Sequence, residues 1–284
     1  MDPTAALERI LWLLEDEQLI DACTALEELE VTPERWEAAK AAFAQGEGSG
    51  GGGGAESNST WEELEERLAN LKVQGAECRK AKSELERQEE EGWIEAQTWF
   101  GITTSYKMVD GDPSIWVKME GEQEDLPMVC TGAVLREADL YKTWMPFVTR
   151  SDILKWKGQA SLLGHFEITV PLMFRDAVIH AYACDTLTQD GSFMLVGKSV
   201  PGDGQEASVY EGDPIPPFDR SSWGNKARID VKAFKAQFSQ VTATTCRVRV
   251  VACVDPRVPL PMPLINFSIK KIAGVILVFL ARAA

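Results

Sequence analysis

The chain has 284 residues, of which 45% are apolar, and this is the composition of a globular protein with one sizeable domain and an appendage. Its formal net charge of −15 argues against a nucleic-acid role, because phosphate binding needs clustered Lys and Arg. The acidity is uneven, since residues 1–45 hold 11 acidic and 3 basic side chains, whereas residues 92–284 hold 21 and 20.

Residues 1–45 are predicted to form an acidic helical segment. Asp2 and Pro3 are typical of a helix cap and of the first helical position, and Thr32-Pro33 repeats this signal. The acid-rich outer surface of such a segment is most often simply solvated, and the alternative is that it docks a protein partner. The first 20 residues are too charged for a secretory signal, so we expect a cytoplasmic protein with reduced thiols.

Residues 46–59 are predicted to be a Gly-rich flexible linker, because such chain behaves as a random coil. We therefore expect the helical segment to move independently of residues 60–284, which are predicted to form one domain. Thr60 and Glu63 match a capping box at the start of a long helix. The 3-4 spacing of its apolar residues favours packing on its own domain over a coiled-coil dimer.

Beyond residue 100 the pattern predicts a series of β-strands, because apolar residues alternate between turn signals. The predicted strands are Ile102–Val109, Ser114–Met119, Met128–Leu135, His165–Val170, Ala177–Asp185, Phe193–Val200, Arg228–Phe234 and Thr244–Val254. Short helices are predicted at Ala138–Trp144 and Asp152–Trp156, and a loop over residues 201–226.

The C-terminal run Leu264–Leu280 is too apolar for a surface helix with a single apolar stripe. It is also too short, and too charged at Lys270-Lys271, for a transmembrane helix of about 20 apolar residues. We therefore expect one side of this helix to pack on the protein's own sheet and the other to cover an apolar cavity.

Three segments, taken with this order of elements, resemble parts of a known protein family. Val170–Ile179 looks like an Arg-Asp entry into a central strand, Asp190–Val200 like the hairpin that follows, and Leu260–Asn266 like the start of a last helix. Together they resemble the START family over residues 60–284. The resemblance implies an α+β helix-grip fold, in which a curved antiparallel sheet wraps around a long C-terminal helix and a lipid-sized cavity. Residues 1–59 lie outside it.

The candidate lipid-binding residues follow from this resemblance and from strand alternation. Strand positions in phase with Arg175 and apolar positions of the last helix form the set: Arg175, Ala177, Ile179, Ala181, Ala183, Leu264, Phe267, Ile272, Val275 and Ile276. The same sequence pattern would arise if these residues only packed in the protein core and contacted no ligand. Ala181 stands where sterol-binding members carry an arginine, which argues against a sterol.

The charged candidates each have two interpretations. Arg175 either contacts a lipid headgroup or pairs with Asp176 inside the protein, and the ion pair is the commoner arrangement. Arg247 and Arg249 share one strand face, which is either solvated or a phosphate contact. His180 falls out of phase with the candidate cavity face, which favours a surface position.

Three classes of function remain in competition. The leading hypothesis is non-catalytic binding of a phospholipid or other apolar ligand, with transfer between membranes through transient surface contact. The second is a regulatory or scaffold module that uses residues 1–45 for protein interaction, and the third is a helix-grip enzyme. No catalytic triad, phosphate-binding loop, dinucleotide fingerprint or metal motif is evident, so we expect no catalytic residue, cofactor or bound metal. The Trp144–Phe147 cluster is interpreted as core rather than as a membrane contact.

Overall fold

The computed structural model describes residues 2–44, 60–87, 91–170, 173–202, 204–217, 226–257 and 274–284. The chain divides into two compact units, one made of the described part of residues 1–83 with Cys184–Thr186, and the other of the remaining residues. The α-helices within the described residues are α1 Pro3–Glu15, α2 Leu19–Glu30, α3 Pro33–Ala44, α4 Trp61–Glu86, α5 Met128–Arg136, α6 Tyr141–Trp144, α7 Leu187–Asp190 and α8 Gly274–Ala283, and a 3-10 helix at Ala138–Leu140 precedes α6.

The helix starts of the first unit follow the signals in the sequence. The Asp2 carboxylate accepts a hydrogen bond from the Ala5 backbone N–H at 3.2 Å, and Pro3 occupies the first turn of α1. The capping box of α4 is present in both directions, because Thr60 N–H donates to Glu63 Oε2 at 3.0 Å and Glu63 N–H donates to Thr60 Oγ1 at 3.3 Å. These predictions are confirmed.

Helices α2 and α4 pack against each other within this unit. Lys72 Nζ lies 2.7 Å from Glu30 Oε1, and Arg79 forms an ion pair with Glu27. The expected independence of residues 1–45 from residues 60 onward is therefore wrong, since the first part of α4 belongs to the same compact unit as α1–α3. A Gly-rich segment between two helices does not prevent their apolar faces from packing together. The assignment of residues 60–284 to a lipid-binding domain stays a prediction.

Close packing at Gly75 gives a first testable prediction. A Cβ added there would lie 2.4 Å from Cys23 Cβ, a contact that requires α2 or α4 to shift. We expect Gly75→Ala to destabilise the protein by about 1–3 kcal/mol through overpacking, although alanine is the better helix former by about 1 kcal/mol. Thermal and denaturant unfolding measure this change.

Gly132 in α5 provides the matched control for that substitution. The nearest atom to a Cβ at Gly132 is in the Phe193 ring at 3.6 Å, an ordinary van der Waals distance. We therefore expect Gly132→Ala to leave stability unchanged or to raise it by up to about 1 kcal/mol. An equal gain in stability from both substitutions would show that α2 and α4 do not pack closely at Gly75.

One mainly antiparallel sheet forms most of the second unit. Its strands within the described residues are β1 Ile94–Trp99, β2 Ile102–Met108, β3 Ile115–Gln123, β4 Val148–Trp156, β5 Ser161–Val170, β6 Met173–Thr186, β7 Ser192–Ser199, β10 Lys226–Arg228, β11 Asp230–Gln240 and β12 Cys246–Asp255. Their order is β1-β2-β3-β12-β11-β7-β6-β5-β4, with β10 parallel to β6. A separate hairpin contains β8 Ser208–Tyr210 and β9 Asp213–Ile215.

Two elements differ from their predicted type. Met128–Leu135 is not a strand but lies in α5, where Met128 and Thr131 are buried one turn apart. Asp152–Trp156 is not a helix but the second half of β4, which pairs with β5. Both are short segments, and periodicity alone does not separate helix from strand in runs of this length. Strand β1 was not predicted, because its residues do not alternate between buried and exposed positions.

Residues 201–226 are also more structured than the predicted loop. Strands β8 and β9 form a tight hairpin closed by Glu211 and Gly212, which both have positive φ values, 48° and 82°. A two-residue hairpin turn of this hand needs positive φ at both positions, and glycine provides it at low cost. Lys157 fixes the hairpin through ion pairs with Glu211 at 3.0 Å and Asp213 at 2.8 Å.

Candidate functional site

The candidate strand residues lie on one face of the sheet, which we call the inner face and define by Leu195, Phe234 and Val250. A Cβ added at Gly197 of β7 would lie 3.2 Å from Ala181 Cβ and 3.4 Å from Ile179 Cγ2, so β6 presents these two side chains beside Gly197. Gly197 stands opposite Phe234 of β11, which places all of them on the same face.

Helix α8 packs on this inner face. Leu280 is fully buried in an apolar cluster with residues of β2, α5, β11 and β12. The buried members of the cluster are Ile102, Leu126, Met128, Ala236, Phe238, Cys246, Val248, Val250 and Leu280. Phe193, Leu195 and Phe234 pack against its edge. The cluster thus connects the C-terminal helix to the face that carries Ala181.

The candidate residues of β6 are less buried than this cluster. Ile179, Ala181 and Ala183 are all half-buried, whereas Ala177 is buried. Ile276 of α8 is half-buried too. Leu264, Phe267 and Ile272 lie outside the described residues, and Val275 is described only by its place in α8. The described candidates thus include a strip of small and apolar side chains that is neither open to solvent nor fully enclosed.

Arg175 and Asp176 do not pair with each other. Neighbouring residues of a strand point to opposite faces, so Asp176 lies on the outer face of the sheet, where Arg228 Nη2 donates to its Oδ2 at 2.7 Å. The predicted partner of Asp176 is therefore wrong, although the carboxylate does form an internal ion pair. Arg175 is itself buried and donates to the Phe174 carbonyl at 2.8 Å, and its burial lowers the pKa of the guanidinium.

The outer face of β5 and β6 also buries both histidines. His165 Nε2 lies 2.9 Å from Asp176 Oδ2, and His165 is 1% exposed. His180 is 7% exposed, so its predicted surface position is wrong. Its Nε2 lies 3.3 Å from Ser161 Oγ and its Nδ1 lies 3.2 Å from the Tyr210 hydroxyl. The structure therefore places the Ser161 hydroxyl beside His180. The third group is the Tyr210 phenol, whereas a catalytic triad would have a carboxylate at that position.

The electrostatics of Asp176 reflect these contacts. Burial alone would raise the pKa of the carboxyl, but the hydrogen bond with His165 and the interaction with Arg228 outweigh burial and lower it. Arg228 also donates to the Pro216 carbonyl at 2.9 Å, just beyond the β8–β9 hairpin. Sequence reasoning missed this cluster, because Arg228 lies 52 residues from Asp176 in the chain and because the contact of His165 depends on the register between β5 and β6.

The remaining candidates have structural roles. Arg247 Nη2 lies 2.6 Å from Glu122 Oε1 and Arg249 Nε lies 3.4 Å from Glu120 Oε1, as cross-strand pairs on the outer face. This agrees with the solvated-face interpretation. Trp144 packs against the inner-face cluster, as its core interpretation requires. Within the described residues no group of three or more His, Cys, Asp or Glu side chains is arranged to hold a metal ion.

A curved antiparallel sheet that holds a C-terminal helix on one face defines the helix-grip class, and solved structures of this class resemble the chain. Human STARD10 superposes with a TM-score of 0.56 and 19% identity over 72% of this chain and 77% of its own. Human StAR-related lipid transfer protein 5 superposes with a TM-score of 0.58 and 14% identity over 74% of this chain and 95% of its own.

These likenesses establish the fold. The chain has a START-like fold, and the predicted α+β helix-grip architecture is confirmed. No family model matches the sequence, and no curated protein does.

Proposed function

We propose that this protein binds a lipid, without catalysis, between the inner face of the sheet and the C-terminal helix. The observation that carries the proposal is the half-buried strip of Ile179, Ala181 and Ala183 on the face that receives α8. One structural neighbour is named a StAR-related lipid transfer protein, which supports the same class of ligand. Each buried methylene contributes about 0.8 kcal/mol, so a long acyl chain supplies on the order of 10 kcal/mol before association costs.

The proposed ligand contacts extend to both ends of this face. Arg175 stands at one end, where a buried cation suits an anionic or zwitterionic headgroup. Val275 and Ile276 of α8 are further proposed ligand contacts, and so are Leu264, Phe267 and Ile272, which lie outside the described residues. We propose no sterol specificity, because Ala181 carries no polar group.

The proposal includes transfer of the lipid between membranes in the cytoplasm, with only transient contact at the membrane surface. Among the described residues, no helix has the length and apolar character that crossing a bilayer requires. A vesicle assay with fluorescent donor and unlabelled acceptor membranes measures transfer, and binding without transfer would limit the function to lipid storage or sensing.

The experiment that tests lipid binding uses the full chain purified from cells. We expect native mass spectrometry to show a fraction of the protein with an added mass, and solvent extraction to release a lipid of that mass. A chain that is empty after purification and also takes up no fluorescent phospholipid or fatty acid would contradict the proposal.

A protein partner for residues 1–45 remains a second proposal. In α1, Trp12 is 59% exposed, and Val31 after α2 is 81% exposed. Large apolar side chains on an acidic surface suit a partner with a basic rim around an apolar pocket. Quantitative pull-down with the full chain and its Trp12→Ser variant tests this, and equal recovery of the same partner by both would argue against docking at α1.

A further inference from the structure

Two cysteines from distant parts of the chain converge on the junction between α1 and α2. Gly75 lies one turn before Cys78 in α4, and a Cβ there would approach the Leu19 carbonyl to 3.0 Å. On the other side, the Asp185 backbone N–H donates to the Glu17 carbonyl at 2.8 Å, which fixes Cys184 beside the same junction. The Cys78 and Cys184 thiols lie close enough to interact, and the Cys184 thiol also donates to the Asp185 carbonyl at 3.9 Å. Both side chains are fully buried, and both belong to the same compact unit.

The two sulfurs have opposite electrostatic environments. The interaction with Cys78 lowers the pKa of Cys184, and the backbone N–H groups of Ile20 and Leu19 lower it further against the effect of burial. These N–H groups begin α2, where the helix dipole favours negative charge. The interaction with Cys184, together with burial, raises the pKa of Cys78. Burial likewise raises the pKa of Cys23, Cys246 and Cys253.

We propose that Cys184 and Cys78 form a reversible disulfide when the protein meets a peroxide, with Cys184 as the reacting sulfur and Cys78 as the resolving thiol. The Cys184 sulfur attacks one peroxide oxygen, the O–O bond breaks, and hydroxide leaves from hydrogen peroxide to give a sulfenic acid. The Cys78 sulfur then attacks the sulfenic sulfur, the S–O bond breaks, and water leaves with the Cys78 proton. Two electrons pass from the thiols to one peroxide, and two waters form in all.

Burial determines how fast this reaction runs. Both cysteines are 0% exposed, so a small oxidant reaches Cys184 only when the contacts around the α1–α2 junction open locally. The bond would join α4 to the end of β6 and restrict that opening. The disulfide is therefore a covalent crosslink that forms in an oxidising environment and is broken by a dithiol.

Peptide mapping of the full chain under non-reducing conditions tests the proposal. After treatment with hydrogen peroxide we expect a crosslinked peptide pair that contains Cys78 and Cys184, which dithiothreitol abolishes. The melting temperature of the oxidised protein is expected to rise by several degrees and to return on reduction. In Cys78→Ser, dimedone is expected to label Cys184, because no resolving thiol remains to consume the sulfenic acid.

Cys246→Ser is the matched control, because Cys246 is equally buried but lies in β12. Its crosslink and melting shift are expected to match those of the natural sequence. Mapping of the unsubstituted chain still decides the question if the serine variants do not fold. A peroxide-treated protein with no 78–184 crosslink, or with Cys78 joined mainly to another cysteine, would overturn the proposal.

Discussion

Replacing Asp176 with asparagine is expected to destabilise the protein by about 3–5 kcal/mol at neutral pH, since it leaves the buried Arg228 guanidinium without its anionic partner. The side chains of Asp176 and Arg228 are only 6% and 3% exposed, so solvent offers little compensation. Asparagine preserves the size of the side chain and one acceptor, so the loss measures charge rather than packing. Urea unfolding at constant ionic strength gives the change directly.

The loss of stability caused by Asp176→Asn depends on pH in a defined direction. The native pKa of Asp176 lies below its ordinary value, so its contribution to stability is complete above the unfolded-state pKa of about 3.9. That contribution disappears as pH falls through the lower native value. We therefore expect the stability difference between the natural protein and Asp176→Asn to be constant above about pH 5 and to shrink below about pH 4. A difference that grew on acidification would contradict the assigned shift.

A double substitution separates the ion pair from its surroundings. Arg228→Met together with Asp176→Asn removes both charges, so we expect the double variant to be more stable than the sum of the two single losses predicts. The coupling is expected to be about 1–3 kcal/mol. Additive losses would mean that Arg228 and Asp176 stabilise the sheet through separate contacts, such as the Arg228 bond to Pro216.

The Asp176 cluster also shows which features the sequence could predict. Local signals were sufficient for the capping box at Thr60 and for the cap at Asp2, because every participating atom lies within four residues. The strands from β5 to β7 and β11 to β12 followed from alternation between turn signals. The helix-grip fold was predicted from their order together with the resemblance of three segments to the START family.

Features that depend on contacts between distant segments were not predictable in this way. Alternation places Asp176 on the outer face, but nothing local indicates that Arg228 joins it there. The burial of His180 depends on the β8–β9 hairpin, whose Tyr210 contacts the ring. Segments such as Met128–Leu135 have no decisive period, and their tertiary position determines their conformation. For the same reason, the sequence predicts which β6 residues share a face but not whether that face is filled.

Replacing Ala181 with phenylalanine addresses this last question and is expected to reduce lipid uptake at least about tenfold. The new ring would project from β6 on the inner face, beside Gly197, towards the side that receives α8. If lipid occupies this space, the ring displaces the contacts of roughly two to three methylenes at about 0.8 kcal/mol each, which corresponds to a tenfold or greater loss of affinity. Fluorescent-lipid titration and native mass spectrometry measure the loss.

Stability distinguishes a lipid space from a packed core at the same position. A ring that enters a ligand space leaves the melting temperature of the lipid-free protein nearly unchanged, whereas overpacking a solid core costs about 1–3 kcal/mol and lowers it by several degrees. Lys198→Phe is the matched control, because Lys198 is exposed and follows Gly197 on the opposite face of β7. We expect this control to keep both lipid uptake and stability. Reduced stability with unchanged uptake in Ala181→Phe would instead mean that the β6 strip is core, and that any lipid site of this protein lies elsewhere.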